Sequence, residues 1–208
     1  MNSFDLHMHS CYSNDGEFTP QELIHMAEEA HLTTIALSDH NTPKGIAEMV
    51  RLAEAKGIRV IPAMEFDTLF EELEVHVLGY GIDYEQPYFQ SLFNALSERK
   101  KAVQIKRVEK IREVFDLDID PAALLKRYAG KNPFPAIVHH IMEQYKDKKE
   151  FADYQPGGRR CEPQPVNFYW DMCSAGKPCY VRVEYPSLKD TVQRIHDPGV
   201  LPYWHTHG

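Results

Sequence analysis

Cysteine is scarce in this chain of 208 residues: there are four, Cys11, Cys161, Cys173 and Cys179. None forms a CxxC pair and zinc-finger spacing is absent, which leaves reduced thiols as the expectation. No apolar run approaches the roughly 20 residues of a membrane span. The first ten residues, MNSFDLHMHS, lack the basic and apolar regions of a secretory leader, so a cytoplasmic location is expected. A broad basic field is missing as well. The 23 Lys and Arg stand against 31 Asp and Glu, a net charge of -8, which argues against a general nucleic-acid or membrane-surface binder. That sign does not exclude a phosphorylated substrate, because bound cations reverse the charge of a pocket locally. Internal repeats and low-complexity tracts are also absent.

Histidine, with eleven copies, is the unusual count in an otherwise ordinary globular composition. The length suffices for a sizeable core, most simply one domain with an inserted subdomain. Ser3–His7 reads as a strand. Thr19-Pro20-Gln21-Glu22 carries a capping box with proline at the first helical position, and the helix it starts runs to about Ala30. Thr33–Leu37 is a β-branched apolar run, as in a strand buried on both faces. Thr42-Pro43 repeats the cap-plus-proline signal, predicting a helix to about Lys56. Gly57 ends it, and Ile58–Met64 is a third strand. This β-α-β-α-β order with short connections specifies an α/β fold with a parallel sheet.

Phe66–Tyr80 then reads as a hairpin with Glu74–Leu78 as its return strand. Helices are predicted over about Gln86–Val114, Pro121–Tyr128, Ile137–Lys146 and Ser187–His196. Phe151–Lys177, rich in proline, glycine and aromatics and without periodicity, reads as a loop or lid. Val200–Trp204 reads as a fourth barrel-type strand. The expected organisation is an α/β portion over residues 1–85 and 176–208, interrupted at 86–175 by a mostly helical insertion.

The chemistry concentrates early. In Asp5-Leu6-His7-Met8-His9, alternation along an extended segment aims His7 and His9 to one side. Imidazole suits zinc, manganese or iron. Asp15-Gly16 follows in the loop after this strand, Ser38-Asp39-His40-Asn41-Thr42 follows the second, Met64-Glu65-Phe66 ends the third, and His76 lies inside the run Val75–Leu78. In an α/β barrel the active site forms at the C-terminal ends of the strands, where His7/His9, His40 and Glu65 fall on three successive strands. His25 and His31, on or just after the first helix, read as surface residues. His139 and His140 are adjacent on a helix, diverge by about 100°, and do not both reach one ion.

The segments DLHMHS…DGEFTP, ALSDHNT, IPAMEF and VHVLGYGID, in order and spacing, resemble the PHP (polymerase and histidinol phosphatase) family of metal-dependent phosphoesterases. The resemblance runs over residues 4–84 and resumes at 176–202. It implies a distorted (β/α)7 barrel holding up to three divalent ions (Zn, Mn or Fe). By the same resemblance His7, His9 and Glu65 bind the first ion, Glu65 bridges to a second that His76 also binds, and Asp15 and His40 hold the third. Asn14 is a lesser candidate beside Asp15. Asp39 is expected to orient an imidazole. Such a cluster acidifies a metal-bound water for attack on a phosphate ester. Histidinol phosphate, nucleotide mono- or bisphosphates and short oligonucleotides all fit the resemblance as substrates.

The chain also departs from that family. In place of an Arg-x-His-[Phe/Ile]-Ala phosphate signature it has Phe134-Pro135-Ala136-Ile137-Val138, leaving Arg159, Arg160, Lys177 and Arg182 as candidate phosphate-binding cations. After Pro202, where the family continues Val-Leu-Ala-His-Pro, it reads Tyr203-Trp204-His205-Thr206-His207-Gly208. One base removed from codons for Val-Leu-Ala-His-Pro-Arg yields Tyr-Trp-His-Thr-His. A single-base deletion and a shortened barrel are therefore expected, and sequencing the gene past codon 202 tests this. A partial (β/α)7 barrel has an open sheet edge, which a second copy would cover as a homo-oligomer. The expected activity is phosphate-ester hydrolysis on a phosphorylated small molecule or nucleotide. The alternative is a catalytically silent PHP-type metal-binding or assembly module. Amidohydrolase chemistry ranks third, for want of a metal-bridging lysine.

Overall fold

The structure is a computed structural model that describes residues 3–130 and 132–196. Strands β1 (Phe4–Met8), β2 (Thr34–Leu37), β3 (Arg59–Phe70) and β4 (Leu73–Tyr80) form one sheet in that order. β1 pairs with β2 and β2 with β3 in parallel, whereas β3 and β4 are antiparallel. Parallel neighbours need a crossover, and helices α1 (Pro20–Glu29) and α2 (Ile46–Glu54) supply it. α1 starts where the capping box requires: Glu22 N donates to Thr19 Oγ1 (3.3 Å) and Thr19 N to the Glu22 carboxylate (2.7 Å). Its apolar residues Leu23, Ile24 and Ala27 close over Ile35 and Leu37 of β2 together with Met49 and Ala53 of α2.

Three local expectations are corrected. α2 begins at Ile46, with Gly45 rather than Thr42 at its N-cap. The reason is that the chain is still tied to β3 at residues 40–41, where Asn41 N donates to Glu65 O (2.8 Å), and it must turn before it can coil. A Cβ on Gly45 would sit 2.7 Å from Leu37 Cδ2, so a larger residue here would have to displace that side chain. β3 does not stop at Met64. Arg59–Pro62 pair with β2, and Ala63–Phe70 then pair with β4, so β3 exchanges one neighbour for the other along its length. Tyr80 Oη, at the end of β4, donates to Leu6 O of β1 (2.9 Å), a contact between non-neighbouring strands that requires a curled sheet.

The chain divides into two compact units, Met1–Ser97 with the segment from Tyr185 onward, and Glu98–Glu184. Helix α3 (Pro87–Phe115) contributes to both cores. In the first, Tyr88, Phe89, Leu92 and Leu96 pack with Met64 and Phe66 of β3. Residues after Tyr185 return beside β3, with Leu69 N donating to Pro186 O (2.9 Å) and Ser187 bridged in parallel to Leu69. In the second unit, Val108, Ile111 and Phe115 join α4 (Pro121–Arg127), α5 (Phe134–Gln144) and α6 (Gln164–Phe168) around Phe151 and Phe168.

The third correction lies here. Phe151–Lys177 is no loose lid: it holds a 3-10 turn (Lys149–Tyr154), α6 and a π-helical turn (Tyr169–Cys173). Phe151, Tyr154 and Phe168 are core, which supplies the order that the missing periodicity concealed. The expected strand Val200–Trp204, and His205 and His207, lie outside the described residues. Among the described residues no helix is long and apolar enough to cross a membrane.

Candidate metal centre

The loops after β1 and β2 are laced together before any ligand is placed. Asp39, buried, accepts from Ser10 N and Ser10 Oγ, both at 2.6 Å. Ser13 Oγ donates to Asp15 Oδ1 (2.6 Å) and accepts from His40 N (3.1 Å). Gly16 is required by the tightness of the first loop, since a Cβ there would lie 2.0 Å from Ser10 O. The second loop is tied in turn to β3: Asp67 N donates to Asn41 Oδ1 (3.0 Å), and Asn41 itself adopts a left-handed conformation (φ 54°). In the β3–β4 ladder Asp67 stands directly opposite His76. Alternation then turns Glu65, Asp67 and His76 to one face.

These restraints converge four imidazoles on one carboxylate. Glu65, 6% exposed, has Oε2 at 2.7 Å from His7 Nε2, 3.2 Å from His9 Nε2 and 3.8 Å from His40 Nε2. Its other oxygen, Oε1, is 2.9 Å from His76 Nδ1. The two carboxylate oxygens thus serve different imidazoles, as a bridging ligand must. Asp15 faces His40 Nε2 at 3.3 Å and His9 Nδ1 at 3.5 Å. Neighbouring rings along the series His7, His9, His40 and His76 lie 4.9–5.0 Å apart. Three donor groups follow: His7, His9 and Glu65; His9, Asp15 and His40; His40, Asp67 and His76.

The residues fit divalent cations. Donors held about 2.1 Å from one ion stand about 3.0 Å apart in octahedral and about 3.4 Å apart in tetrahedral geometry, and the His–Glu65 and His–Asp15 separations span that range. His9 Nδ1 is buried without a hydrogen bond although Asp15 is near, because 3.5 Å and its poor alignment do not make one. With Nε2 turned to Glu65 and its ion, Nδ1 would carry the ring's N–H, and the Asp15 carboxylate is the acceptor that faces it. The mixed imidazole and carboxylate set suits a divalent cation.

The titration tendencies follow the same geometry. Burial chiefly lowers the pKa of His9, helped by the neighbouring His40 and His7 and opposed by Asp15 and Glu65. For His40 burial is the largest influence and acts downward, but the Asp67 hydrogen bond and the charges of Asp67, Glu65 and Asp15 outweigh it and raise the pKa. Asp15 is held below the usual carboxylate range: burial pushes it up, and Ser13, His9 and His40 together push it down further.

All six residues the sequence points to, His7, His9, Asp15, His40, Glu65 and His76, meet here. Asn14 is exposed and stands beside Asp15 in the first loop. The two short bonds of Asp39 brace Ser10 and with it the loop that carries Asp15. The carboxylate set against an imidazole is that of Asp67, whose Oδ1 is 2.7 Å from His40 Nδ1. Sequence reasoning passed over Asp67, although the alternation that pairs His7 with His9 pairs Glu65 with Asp67 equally well.

Arg159, Arg160, Lys177 and Arg182 belong to the second unit. Arg159 is paired there with Asp153 (2.9 Å) and Arg160 with Asp171 through two bonds of 2.7 and 2.9 Å. His25 makes a loose i, i+4 pair with Glu29 on the exposed face of α1 (3.5 Å), and His31 is exposed. On α5, His139 is exposed while His140 packs its ring toward Tyr128, with centroids 5.6 Å apart.

Comparison with known proteins agrees with this geometry. A 5'-3' exoribonuclease of Haemophilus influenzae is 28% identical over 198 residues, covering 94% of this chain and 65% of that protein. A 3',5'-nucleoside bisphosphate phosphatase of Chromobacterium violaceum is 28% identical over 204 residues, covering 96% and 65%. The chain therefore spans just under two thirds of the length of these curated relatives. Among solved structures, an amidohydrolase from Chromobacterium violaceum superposes with a TM-score of 0.63 at 23% identity, over 93% of this chain and 63% of that one, a likeness of fold. The PHP domain matches residues 5–195, nearly the whole of the described chain, and the protein belongs to the PHP domain family.

Proposed function

We propose that this protein hydrolyses phosphate esters with a di- or trinuclear divalent-metal centre. The reading rests on one observation above all: the buried Glu65 carboxylate gives one oxygen to His7 and His9 and the other to His76. His7, His9 and Glu65 would hold a first ion, Glu65 and His76 a second, and Asp15 and His40 a third. Bound there, such ions acidify water and neutralise charge on phosphoryl oxygens. The chain's own part is to hold four imidazoles and two carboxylates in place through the Ser10–Asp39, Ser13–Asp15 and Asn41–Asp67 bonds.

The substrate class is proposed from chemistry and kinship together. The relatives named above act on phosphate esters of nucleotides and RNA, and a net charge of -8 favours small phosphorylated molecules over long nucleic acid. Nucleoside bisphosphates and short oligonucleotides are the compounds to assay first. Purified protein is stripped with chelator, reloaded with Mn or Zn, and assayed on p-nitrophenyl phosphate and on a 3',5'-nucleoside bisphosphate, with His40→Ala as control. Metal-dependent release of phosphate that His40→Ala loses supports the reading. Metal uptake without turnover on any of these compounds would instead assign the chain as a metal-binding module.

A further inference from the structure

We infer that Asp67 is a positioning residue whose carboxylate orients the metal-facing imidazole of His40. This rests on the proposed metal centre and adds to it a residue outside the set that the sequence points to.

The geometry is asymmetric. Asp67 Oδ1 lies 2.7 Å from His40 Nδ1 and 3.7 Å from His76 Nε2. The opposite nitrogens of the same rings point the other way. His40 Nε2 faces Asp15 at 3.3 Å and Glu65 at 3.8 Å, and His76 Nδ1 faces Glu65 at 2.9 Å. A neutral imidazole has one N–H and one lone pair, and a carboxylate can only accept. An ionised Asp67 therefore draws the N–H of the His40 ring to its own side, while His76 at 3.7 Å stands beyond hydrogen-bond reach. That leaves His40 Nε2 with its lone pair directed at Asp15 and Glu65, where the cations belong. The 2.7 Å contact is the length of a charge-assisted hydrogen bond. Because His40 and His76 turn their other nitrogens to Asp15 and Glu65, the third donor group is assigned as a brace and not a further cation site.

Asp67 is itself fixed on several sides. It is 4% exposed, and its backbone N–H is held by Asn41 Oδ1. Burial, with the neighbouring Asp67 and Glu74 carboxylates, pushes the pKa of the Tyr185 hydroxyl up. Glu74 Oε1 stands 3.6 Å from His76 Nε2. Tyr185 reaches this point because the chain returns beside β3, through Leu69 N to Pro186 O and the Leu69–Ser187 bridge. A segment about 120 residues downstream of Asp67 thus closes the support of the centre. Removing an outer carboxylate of this kind typically costs 10–100-fold in metal affinity.

The test uses the full chain and its Asp67→Ala, Asp67→Asn and Tyr185→Phe variants, with His9→Ala as a ligand control. Zn and Mn are titrated calorimetrically, and long-range proton–nitrogen NMR of the metal-free protein reads which His40 nitrogen carries hydrogen. Asp67→Ala should weaken metal binding about 10–100-fold with the number of ions per chain unchanged. It should also convert His40 from one tautomer, protonated at Nδ1, to a mixture. Asp67→Asn keeps the shape and one acceptor, folds as the parent does, and should recover part of the affinity; Tyr185→Phe should show a smaller loss in the same direction. Loss of one ion per chain in Asp67→Ala would make Asp67 a ligand and overturn the inference. An unchanged tautomer with unchanged affinity in both Asp67 variants would overturn it as well. No metal uptake by the parent chain would refute the metal centre itself, a result distinct from normal uptake that ignores Asp67.

Discussion

Substituting Glu65 by Gln tests the centre at its most connected point. The replacement keeps volume and one oxygen acceptor but removes the charge that four imidazoles share, at a position 6% exposed. A cation that binds only the folded chain at 100 times its Kd stabilises it by about 2.7 kcal/mol, which for a chain of this size raises Tm by roughly 5–11 °C. Loss of an outer carboxylate already weakens metal sites 10–100-fold, so loss of the shared inner one should reach at least about 100-fold. The same metal concentration then sits near Kd, and the gain falls to about 0.4 kcal/mol, about 1–2 °C. The assay is differential scanning calorimetry of each protein with chelator and with Mn or Zn, and the quantity compared is the metal-induced shift. Any cost of Glu65→Gln to the metal-free fold cancels in that difference. The reasoning is refuted if Glu65→Gln keeps the full shift, or if the parent chain shows none with either metal.

Further outcomes follow from the surrounding structure. Asp39→Ala strands the buried Ser10 N–H and hydroxyl, and should cost about 1.5–3 kcal/mol in urea unfolding, with weakened metal uptake as the loop bearing Asp15 loosens. Gly16→Ala forces a Cβ onto Ser10 O, so it should destabilise the chain by roughly 1–3 kcal/mol and lower the metal content measured by elemental analysis. In the second unit Phe151→Ala empties the centre of the core, an expected loss of about 3–5 kcal/mol in thermal unfolding. The Arg160 guanidinium beside Asp171, helped by the Tyr154 hydroxyl, holds the Asp171 carboxyl below the usual range against the opposing effect of burial. A depressed folded pKa contributes stability that is present above the unfolded value of about 3.9 and is lost as pH falls through the folded value. Tm measured from pH 5 to pH 2 should therefore show a shallow loss below about pH 4 that Asp171→Asn abolishes; an identical pH profile in that variant would count against the pair.

Much of the first unit was legible because its signals are local. Thr19, Pro20 and Glu22 start α1 within one turn, Thr34–Leu37 is too apolar to lie anywhere but inside, and HxH on an extended segment points two imidazoles one way. Of the six clustered residues, His7, His9, His40 and Glu65 were legible for a related reason, since they fall at strand ends that strand order brings together, whereas Asp15 and His76 stand out through the family resemblance. The second unit was less so. Phe151, Tyr154 and Phe168 are buried, but they sit on short 3-10, α and π turns whose spacing follows no single period, and the stretch reads as loop from sequence alone.

By itself, then, the sequence determined the α/β class, the helix cap, the strand alternation and the identity of the metal-competent side chains, because these depend on residues a few positions apart. Only the tertiary structure decided which nitrogen of each imidazole faces which carboxylate, that Asp39 braces a loop, and that Asp67 stands behind His40 and His76. Those relations depend on the curl of the sheet, on the exchange of partners along β3 and on the return of the chain at Tyr185. They join residues up to about 120 positions apart, and no local pattern encodes a distance across a folded chain.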